Sequence, residues 1–538
     1  MTRTVILVVA LFVANCHGKV AVTEDNLRDP SINVISKHHV ADNSYIHIDL
    51  PTKTSSNLED LLKKVIKLDA DNKISESDAN IIIRIDTNTQ SNDDNGEALI
   101  LTPLLEKGLI EEARNASRVD RSLFLGFESY SGFFTVNKTY NSNVFFWYFP
   151  VINKPVNETP WIIWLQGGPG ASSLTGLFDE IGPFKGSADS LKPNPYTWLQ
   201  NHSLLFIDNP IGSGFSFTDH ADGFVKDMAT YSKHLYSTVK QFIQVFPELR
   251  VAPLFVGGES YAGKYVPALA MEIHKHKNNP GQDINLQGVL LGNGYVDPAM
   301  ISQVTQPFLY FGLLEKKQIE ALDPLLKAFQ NDIANNNSVG AKNKWMSLIT
   351  ALLFLTHQKQ AYNFLKDEMP FGRYSPFLKK PEIKKAIHVG SIRFAVVNLT
   401  TNMEMAPDFL SSSKPIFEKL LEDYRVLAYC GQLDQMLPCV YTSENYRTWK
   451  WNGTEQFLEA TRYPFLFNNK LAGYNKSGGG LTEVVVRGAG HMVPVDAPAA
   501  AQELITRWTH GMPLSQPAPL LEGSFLRQFV ANNSAIYL

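Results

Sequence analysis

The ten residues LFVGGESYAG, at positions 254–263, predict a strand that turns sharply into a helix. The apolar run reaches Gly257, and after the turn apolar side chains recur at helical spacing from Val266 to Ile273. Ser260 stands on the turn, an arrangement that holds a hydroxyl group clear of a sheet for attack on a carbonyl carbon. Small residues surround it because such a turn is strained and the backbone approaches itself closely. The alternative is an ordinary strand-to-helix turn in which Ser260 caps the helix.

Length and composition are those of a soluble globular protein. The chain has 538 residues, of which 44% are hydrophobic and 19% are charged. That length allows one large domain or two smaller ones, with ample material for a core. The formal net charge of -4 supplies no basic footprint for phosphate groups, so a nucleic-acid partner is not expected.

Residues 1–18 are typical of a secretory signal peptide. Arg3 gives the positive start, residues 5–13 are an unbroken apolar run, and Cys16 and Gly18 are small residues suited to cleavage. The run is far shorter than the roughly 20 residues that cross a bilayer, so no membrane span is expected. A buried N-terminal strand is the alternative. We therefore expect a protein of the secretory pathway, either secreted or lysosomal.

Asn-x-Ser/Thr triplets along the chain support export, because such triplets accept N-linked glycans in the secretory pathway. Any single triplet can occur by chance in a chain rich in asparagine. The candidate glycosylation sites are Asn115, Asn137, Asn157, Asn201, Asn336, Asn398, Asn452, Asn475 and Asn532.

Cysteine usage indicates one disulfide. Removal of the signal peptide takes Cys16 away and leaves Cys430 and Cys439. An even pair in an oxidising compartment favours a short-loop disulfide between them. Two buried free thiols are the alternative.

The chain changes character near residue 97. Residues 19–96 are polar and poor in aromatic side chains, which is typical of a flexible extension or propeptide. Residues 97–538 alternate apolar strands with amphipathic helices, so they predict an α/β domain whose mainly parallel sheet is covered on both faces. Within this domain, residues 299–380 lose the strands and keep helical periodicity, which predicts a helical insertion over one end of the sheet.

Periodicity also predicts individual elements. A helix is expected at residues 228–245, and residues 345–355 inside the insertion are strongly apolar. The apolar stretch suits a buried cap helix best, with the wall of a substrate cleft or a membrane-contact helix as alternatives. The predicted strands are residues 144–149, 161–165, 204–207, 254–256, 288–291, 426–429 and 482–486.

Two late loops carry possible partners for the serine. A serine hydroxyl is a weak nucleophile until an oriented base takes its proton. Asp434 follows the strand at 426–429, and His491 follows a glycine-rich turn after the strand at 482–486. The chain order Ser260, Asp434, His491 is that of the α/β-hydrolases. Taken singly, the aspartate also suits a turn and the histidine an ordinary loop.

The early loop Gly167-Gly168-Pro169-Gly170 follows the strand at 161–165. An oxyanion hole needs backbone N–H groups that are preorganised where negative charge develops. We predict that its two donors are the N–H groups of Gly168 and of Tyr261, the residue after the serine. A phosphate-binding loop is the alternative, but no lysine follows as in a P-loop and no Gly-x-Gly-x-x-Gly is present.

Four sequence blocks are GGPGASS at 167–173, GESYAGKY at 258–265, GNG at 292–294 and HMVP at 491–494. In this order they resemble the signature blocks of the serine carboxypeptidases, and the resemblance extends from about residue 101 to the C-terminus. It implies an α/β-hydrolase fold with a helical cap over the active site. Gln166 replaces the family's more frequent asparagine, and with residues 136–143 it is similar to the vitellogenic carboxypeptidase-like branch.

The resemblance implies an exopeptidase without a cofactor that releases C-terminal amino acids from peptides and proteins. The resemblance places two acidic side chains, Glu180 and Glu259, at the substrate's C-terminal carboxylate. Two adjacent carboxyl groups cannot both ionise cheaply, so at least one keeps its proton and can donate a hydrogen bond to that carboxylate. Because that proton is lost as the pH rises, we expect the best activity in acid. Gln166 is one methylene longer than asparagine, which shifts the grip on the substrate. The residues that the resemblance assigns to the substrate's carboxylate are Trp164, Gln166, Glu180 and Glu259.

Two other functions suit the same residues. An esterase or acyltransferase would apply the serine chemistry to other acyl groups or acceptors, and a non-catalytic secreted binding protein would merely keep the scaffold. A metal site is not expected. His274 and His276 are two apart, which on a helix directs them to different faces, and the two mature cysteines lack histidines at zinc-site spacing.

Overall fold

The computed structural model of the chain describes residues 33–40, 43–49, 94–279, 281 and 283–514. The predicted signal peptide and the candidate glycosylation site Asn532 lie outside these residues. Within the predicted extension, strands β1 (Asn33–Val40) and β2 (Asn43–Asp49) form an antiparallel hairpin.

The remaining strands build the main sheet and one small hairpin. They are β3 (Tyr130–Asn137), β4 (Ser142–Phe149), β5 (Trp161–Leu165), β6 (Phe184–Gly186), β7 (Leu191–Pro193), β8 (Ser203–Ile207), β9 (Leu254–Glu259), β10 (Leu286–Gly292), β11 (Arg425–Gly431), β12 (Tyr463–Phe467), β13 (Lys470–Gly478) and β14 (Leu481–Val486). The main sheet has the order β12-β13-β14-β11-β10-β9-β5-β8-β4-β3, and β6 pairs with β7 separately.

The centre of the main sheet is parallel and its edges are antiparallel. Strands β14, β11, β10, β9, β5 and β8 run parallel to their neighbours within this group. An antiparallel pair closes each side, β13 with β12 on one and β4 with β3 on the other. Because consecutive parallel strands need long crossovers, the intervening helices cover the sheet.

The α-helices of the described residues are α1 (Thr102–Glu106), α2 (Ile110–Ala116), α3 (Met228–Val245), α4 (Ala262–Lys275), α5 (Gln306–Tyr310), α6 (Lys316–Ala321), α7 (Asp323–Ala334), α8 (Ser338–Thr356), α9 (Ser375–Leu378), α10 (Pro381–Ala386), α11 (Leu399–Glu404), α12 (Lys414–Leu420), α13 (Cys439–Tyr446), α14 (Thr454–Glu459), α15 (Val493–Asp496) and α16 (Pro498–Thr509). The long helix α3 begins where the Asp227 side chain accepts the Thr230 N–H. Its apolar face, which includes Leu235, Val239 and Phe242, is buried in the core.

Strand β5 illustrates how the sheet is buried on both faces. Trp161 and Ile163 belong to one hydrophobic cluster, whereas Ile162 and Trp164 belong to the other. Successive side chains of a strand point to opposite faces, so each cluster covers one face of the sheet. This is why the central strands are apolar along their whole length.

The predicted elements are confirmed. Strand β5 and helix α3 have the predicted bounds, and each of the other six predicted strands lies within an observed one. The predicted helical insertion is also present. The strand-free region around it is longer than the predicted residues 299–380. After β10 the next named strand is β11, which begins at Arg425.

The apolar stretch at 345–355 forms the second half of α8. Leu348, Ile349 and Leu352 are buried in the core, while Phe354 is 78% exposed. The stretch is therefore a cap helix that is only partly buried. In the part of the chain that the structure describes, no helix combines the length and the apolar character needed to cross a membrane.

Candidate active site

The parallel order of β9, β10, β11 and β14 brings their carboxyl ends to one edge of the sheet. Ser260 directly follows β9, whereas Asp434 and His491 lie in the loops after β11 and β14. The strand ends are aligned, since Glu259 pairs with Gly292 and Gly292 pairs with Tyr429. The three predicted catalytic residues therefore come from three loops at one edge of the sheet.

Ser260 has the strained backbone expected of a nucleophile on a sharp strand-to-helix turn. Its φ of 60° lies in the left-handed region, which a residue with a side chain adopts at a cost of order 1–3 kcal/mol. Its N–H donates to the Gly292 carbonyl at 3.0 Å, and its carbonyl accepts the N–H of Gly263 at 3.0 Å and of Tyr295 at 2.8 Å. These bonds hold the turn in place. Ser260 itself is half-buried, so the turn does not enclose it completely.

Asp434 and His491 form a buried pair. The Nδ1 atom of His491 lies 2.8 Å from Oδ2 of Asp434, and the side chains are 3% and 0% exposed. A carboxylate only accepts hydrogen bonds, so this contact places the proton on Nδ1 and leaves Nε2 as an acceptor. The other carboxylate oxygen, Oδ1, accepts the N–H groups of Met436 at 2.7 Å and Leu437 at 3.2 Å.

Asn293 completes the shell around Asp434 and was not predicted. Its Nδ2 donates to Asp434 Oδ2 at 2.6 Å, and its Oδ1 accepts the Gly431 N–H at 3.1 Å. It follows β10, between the strand ends that carry Ser260 and Asp434. The sequence signal for Asn293 is the GNG block at 292–294, which resembles a family signature but indicates no role for its asparagine.

Tyr362 is a second contact that sequence reasoning missed. Its carbonyl accepts the His491 N–H at 2.6 Å, and its ring packs edge-on against the imidazole with centroids 5.1 Å apart. Asp496 holds the same loop, because its Oδ2 accepts the Gly490 N–H at 2.7 Å and an Asn363 amide proton at 2.8 Å. Residues of the helical insertion therefore fix the histidine loop.

Cys430 and Cys439 form a disulfide. The bridge joins the end of β11 to the first residue of α13 and closes the loop that carries Asp434. In the same loop, Cys439 Sγ lies 3.2 Å from the Gly431 carbonyl oxygen. The covalent link thus restrains the segment on which the aspartate sits.

The glycine-rich loop after β5 lies against the serine turn. A Cβ atom on Gly167 would come within 2.4 Å of the Tyr261 nitrogen, so only glycine fits this approach. Gly168 has a φ of 108° and is exposed, and its peptide bond to Pro169 is cis. Within the described residues, neither the Gly168 N–H nor the Tyr261 N–H donates to another protein group. Both predicted oxyanion donors are therefore free for a ligand.

The four residues assigned to the substrate's carboxylate form one buried network. Trp164 Nε1 donates to Gln166 Oε1 at 3.0 Å. Gln166 Nε2 in turn donates to Oε1 of Glu259 at 2.7 Å and to Oε1 of Glu180 at 3.3 Å. The Oε2 atoms of Glu180 and Glu259 are buried and have no hydrogen-bond partner among the described residues. Two acceptors thus remain to be satisfied by a proton or a ligand.

Burial makes both carboxyl groups weaker acids than an exposed glutamate. Loss of solvent raises the pKa of Glu180 to about 7, against smaller opposing effects of Glu259, Lys185 and Gln166. Burial, followed by the charge of Glu180, raises the pKa of Glu259 well above its usual range. The pair therefore keeps protons in acid and near neutrality. The geometry suits an anion that accepts hydrogen bonds from these protons.

Other predicted sites differ in exposure. Asn475 is 4% exposed and lies within β13, so its side chain is not available as a glycan acceptor in the folded domain. The exposed candidates are Asn115, Asn157, Asn336 and Asn452, and the half-buried ones are Asn137, Asn201 and Asn398. The structure, over the residues it describes, has no group of three or more His, Cys, Asp or Glu side chains arranged to hold a metal ion.

Comparison with known proteins assigns the family. The sequence model of the serine carboxypeptidases matches residues 120–511. The chain belongs to the serine carboxypeptidase family. It is 38% identical to the venom serine carboxypeptidase of Apis mellifera in an alignment 442 residues long that covers 78% of this chain and 92% of that protein. The predicted reaction class, a serine-type carboxypeptidase and hence a hydrolase, is confirmed.

Two further relatives support the predicted branch of the family. The vitellogenic carboxypeptidase of Aedes aegypti is 38% identical, covering 78% of this chain and 91% of that protein. The probable serine carboxypeptidase CPVL of Homo sapiens is 37% identical, covering 78% of this chain and 90% of that protein.

A solved structure confirms the fold of this serine carboxypeptidase. KEX1(delta)p, a prohormone-processing carboxypeptidase from Saccharomyces cerevisiae, superposes with a TM-score of 0.68 at 23% identity. The match covers 75% of this chain and 98% of that one. The predicted α/β-hydrolase architecture with a mainly parallel centre is thus shared with a member of the family.

Proposed function

We propose that the protein releases C-terminal amino acids from peptides through a Ser260–His491–Asp434 acyl-enzyme mechanism. One observation carries the proposal: the buried 2.8 Å hydrogen bond between His491 and Asp434 lies at the sheet edge where Ser260 leaves β9. Asp434 fixes the tautomer in which the imidazole can accept the serine proton at Nε2. Asn293 and the two loop amides keep the aspartate oriented.

In the first half of the reaction, Ser260 Oγ attacks the carbonyl carbon of the last peptide bond and His491 Nε2 takes the hydroxyl proton. The N–H groups of Gly168 and Tyr261 receive the negative oxygen of the tetrahedral intermediate. The C–N bond then breaks, and the proton passes from His491 to the leaving amine. The C-terminal amino acid departs and an ester remains on Ser260.

In the second half, a water molecule loses a proton to His491 and attacks the ester carbonyl carbon. The bond to Ser260 breaks, and the serine recovers its proton from the imidazole. The shortened peptide leaves with a new C-terminal carboxylate, so the enzyme returns to its starting state.

Preference for the chain end comes from the network around Gln166. Trp164 orients the Gln166 amide, and the protonated carboxyl groups of Glu180 and Glu259 donate to the substrate's terminal carboxylate. Because the pKa of Glu180 is about 7, the grip weakens above neutrality and activity is favoured in acid. We assign the enzyme to the secretory pathway, as a secreted or lysosomal protein whose exposed sequons carry glycans.

The direct test compares the wild type with Ser260→Ala on a peptide that has a blocked N-terminus and a free C-terminus. We expect Ser260→Ala to lose at least about 10⁴-fold in kcat, since nucleophile removal leaves only binding and oxyanion stabilisation. The exposed Ser187→Ala is a matched control and should behave as the wild type. Turnover by Ser260→Ala at the wild-type rate contradicts the mechanism.

A second arm separates a carboxypeptidase from an esterase or acyltransferase. The same peptide with an amidated C-terminus keeps the scissile bond but removes the anion that the Gln166 network would hold. We expect the amide to be cleaved far more slowly in acid. Equal kcat/KM for both peptides means that the network does not select chain ends.

A further inference from the structure

One segment of the helical insertion touches both sides of the proposed oxyanion hole. We call residues 398–411 the strap; it includes α11 and the turn that follows. The strap reaches the loop of Gly168 at one end and the side chain of Tyr261 at the other, and the two contacts come from different side chains.

At its first end the strap clamps the glycine loop. Asn402 Nδ2 donates to the carbonyl of Pro169 at 2.9 Å, and the Asn398 N–H donates to the carbonyl of Gly170 at 2.9 Å. The fit is close, because a Cβ on Gly170 would lie 2.6 Å from the Asn398 carbonyl oxygen. These bonds fix the peptide groups that follow Pro169 and Gly170.

At its second end the strap clamps the serine turn. The Tyr261 hydroxyl donates to Asp408 Oδ2 at 2.9 Å. Lys264, which is fully buried one helical turn further on, donates to the carbonyls of Asp408 at 2.5 Å and Phe409 at 2.8 Å. The residue whose N–H is the second oxyanion donor is therefore tied to the strap by its own side chain.

The strap is itself held by α8. Lys342, which is 8% exposed, donates to Asn402 Oδ1 at 2.7 Å, so the amide of Asn402 is oriented with its Nδ2 toward Pro169. Ser338 donates to the Ala406 carbonyl at 2.9 Å and accepts the Leu410 N–H at 3.0 Å. These bonds to α8 hold the strap in one shape, so it can keep the loop of Gly168 and the turn of Tyr261 at a fixed distance from each other.

We propose that the strap is a positioning device for the oxyanion hole, with Asn402 holding the Gly168 side and Asp408 the Tyr261 side. The two N–H donors belong to loops after different strands, β5 and β9, and they must converge on one oxygen atom. A segment bonded to both loops sets the distance between the donors. The inference rests on the proposed function, because it assumes that these two N–H groups stabilise the oxyanion.

Two conservative variants separate positioning from folding. Asn402→Asp keeps an acceptor for Lys342 but removes the donor to Pro169, and Tyr261→Phe removes only the hydroxyl that reaches Asp408. Met403→Ala is the control, since Met403 lies on the same helix and is 47% exposed. Ser260→Ala is assayed beside them, so that failure of the proposed function is recognised separately.

The measurements are kcat and KM per folded molecule, and inhibition by two ligands. A peptide aldehyde forms a tetrahedral adduct whose oxygen occupies the oxyanion hole, whereas the released amino acid binds only the carboxylate network. We expect both variants to lose roughly 10- to 100-fold in kcat and in aldehyde affinity, with amino-acid affinity within about twofold of the wild type. Met403→Ala should match the wild type in all four quantities.

The inference is overturned if both variants keep wild-type kcat while Ser260→Ala is inactive. It is also overturned if aldehyde and amino-acid affinities fall equally, because a general loosening of the site would do that. If Ser260→Ala stays active, the proposed function itself fails and the inference falls with it.

Discussion

Replacement of Glu180 by glutamine should move the pH dependence of chain-end recognition. Burial raises the pKa of the wild-type group to about 7, although the hydrogen bonds from Glu259 and Gln166 act in the opposite direction. Protonated, it can donate to a substrate carboxylate; ionised, it repels that carboxylate. The glutamine variant keeps the shape and a donor but carries no titrating proton at this position.

The magnitude follows from the titration of one proton. With a pKa of about 7, Glu180 is about nine-tenths protonated at pH 6 and about one-tenth protonated at pH 8. Binding that needs this proton should weaken roughly tenfold over the interval, and by another factor of ten per pH unit above it. Glu180→Gln lacks this proton, so its fall between pH 6 and pH 8 should be smaller than that of the wild type, and the remaining fall reports Glu259, whose pKa burial raises.

The assay is the ratio of kcat/KM for a free-acid peptide to that for its C-terminal amide, measured from pH 5 to pH 9. Any proton transfer common to both substrates cancels in this ratio. Asp179→Asn is the matched control, because burial raises the pKa of the Asp179 carboxyl group to about 7 too. Asp179 accepts the Gly372 N–H, however, and has no hydrogen bond to Gln166. It should keep the tenfold fall. An identical slope in wild type and Glu180→Gln refutes the reasoning.

Four further predictions concern the surroundings of the site. Asn293→Ala removes a 2.6 Å charge-assisted hydrogen bond worth about 1.5–3 kcal/mol, so steady-state kinetics should give at least a roughly tenfold lower kcat; an unchanged kcat contradicts a role for this bond. Gly167→Ala would force a Cβ within 2.4 Å of the Tyr261 nitrogen, and a peptide assay should find roughly 100-fold less activity, whereas full activity means that the loop yields. A Cys430→Ser, Cys439→Ser double variant opens a nine-residue separation and should lose about 2–3 kcal/mol in a urea titration, with no loss if the bridge is dispensable. Because the folded pKa of Glu180 is raised to about 7, its ionisation destabilises the fold as the pH rises from the unfolded pKa to about 7, so Glu180→Gln should shrink the stability difference between pH 5 and pH 8 by roughly 2–3 kcal/mol in denaturant titrations; an unaltered difference contradicts this assignment.

The parallel centre of the sheet could be predicted because its strands are apolar along their length. Strand β5 was predicted with its observed bounds, as was helix α3, whose apolar residues recur on one face. Strands β12 and β13 were not predicted, since the alternation of exposed and buried side chains in β12 spans only five residues, and in β13 the two kinds mix irregularly. Partly exposed strands of this kind carry a weaker signal than buried central ones.

Some residues of the candidate site could be predicted from the sequence and others could not. Ser260, Asp434 and His491 could be chosen because each follows a strand, and parallel strands end at one edge. Tyr362 and Asp408 could not be chosen, because they reach the site from a helical insertion through contacts that are distant in the chain. Local periodicity predicts helices in that insertion but does not predict where they pack. The catalytic roles themselves stay predictions until Ser260→Ala is measured.

Strand β14 lies between β13 and β11 in the sheet but comes later in the chain than β9 and β11, which affects when the proposed site can form. His491 is placed by a strand that pairs with β11, and β11 in turn pairs with β10. A nascent chain that has emerged only as far as α13 holds the serine and the aspartate but lacks the imidazole altogether. In the proposed mechanism, hydrolytic capacity therefore arises only after the loop that follows β14 has been made, so a chain that stops short of this loop has no protease activity.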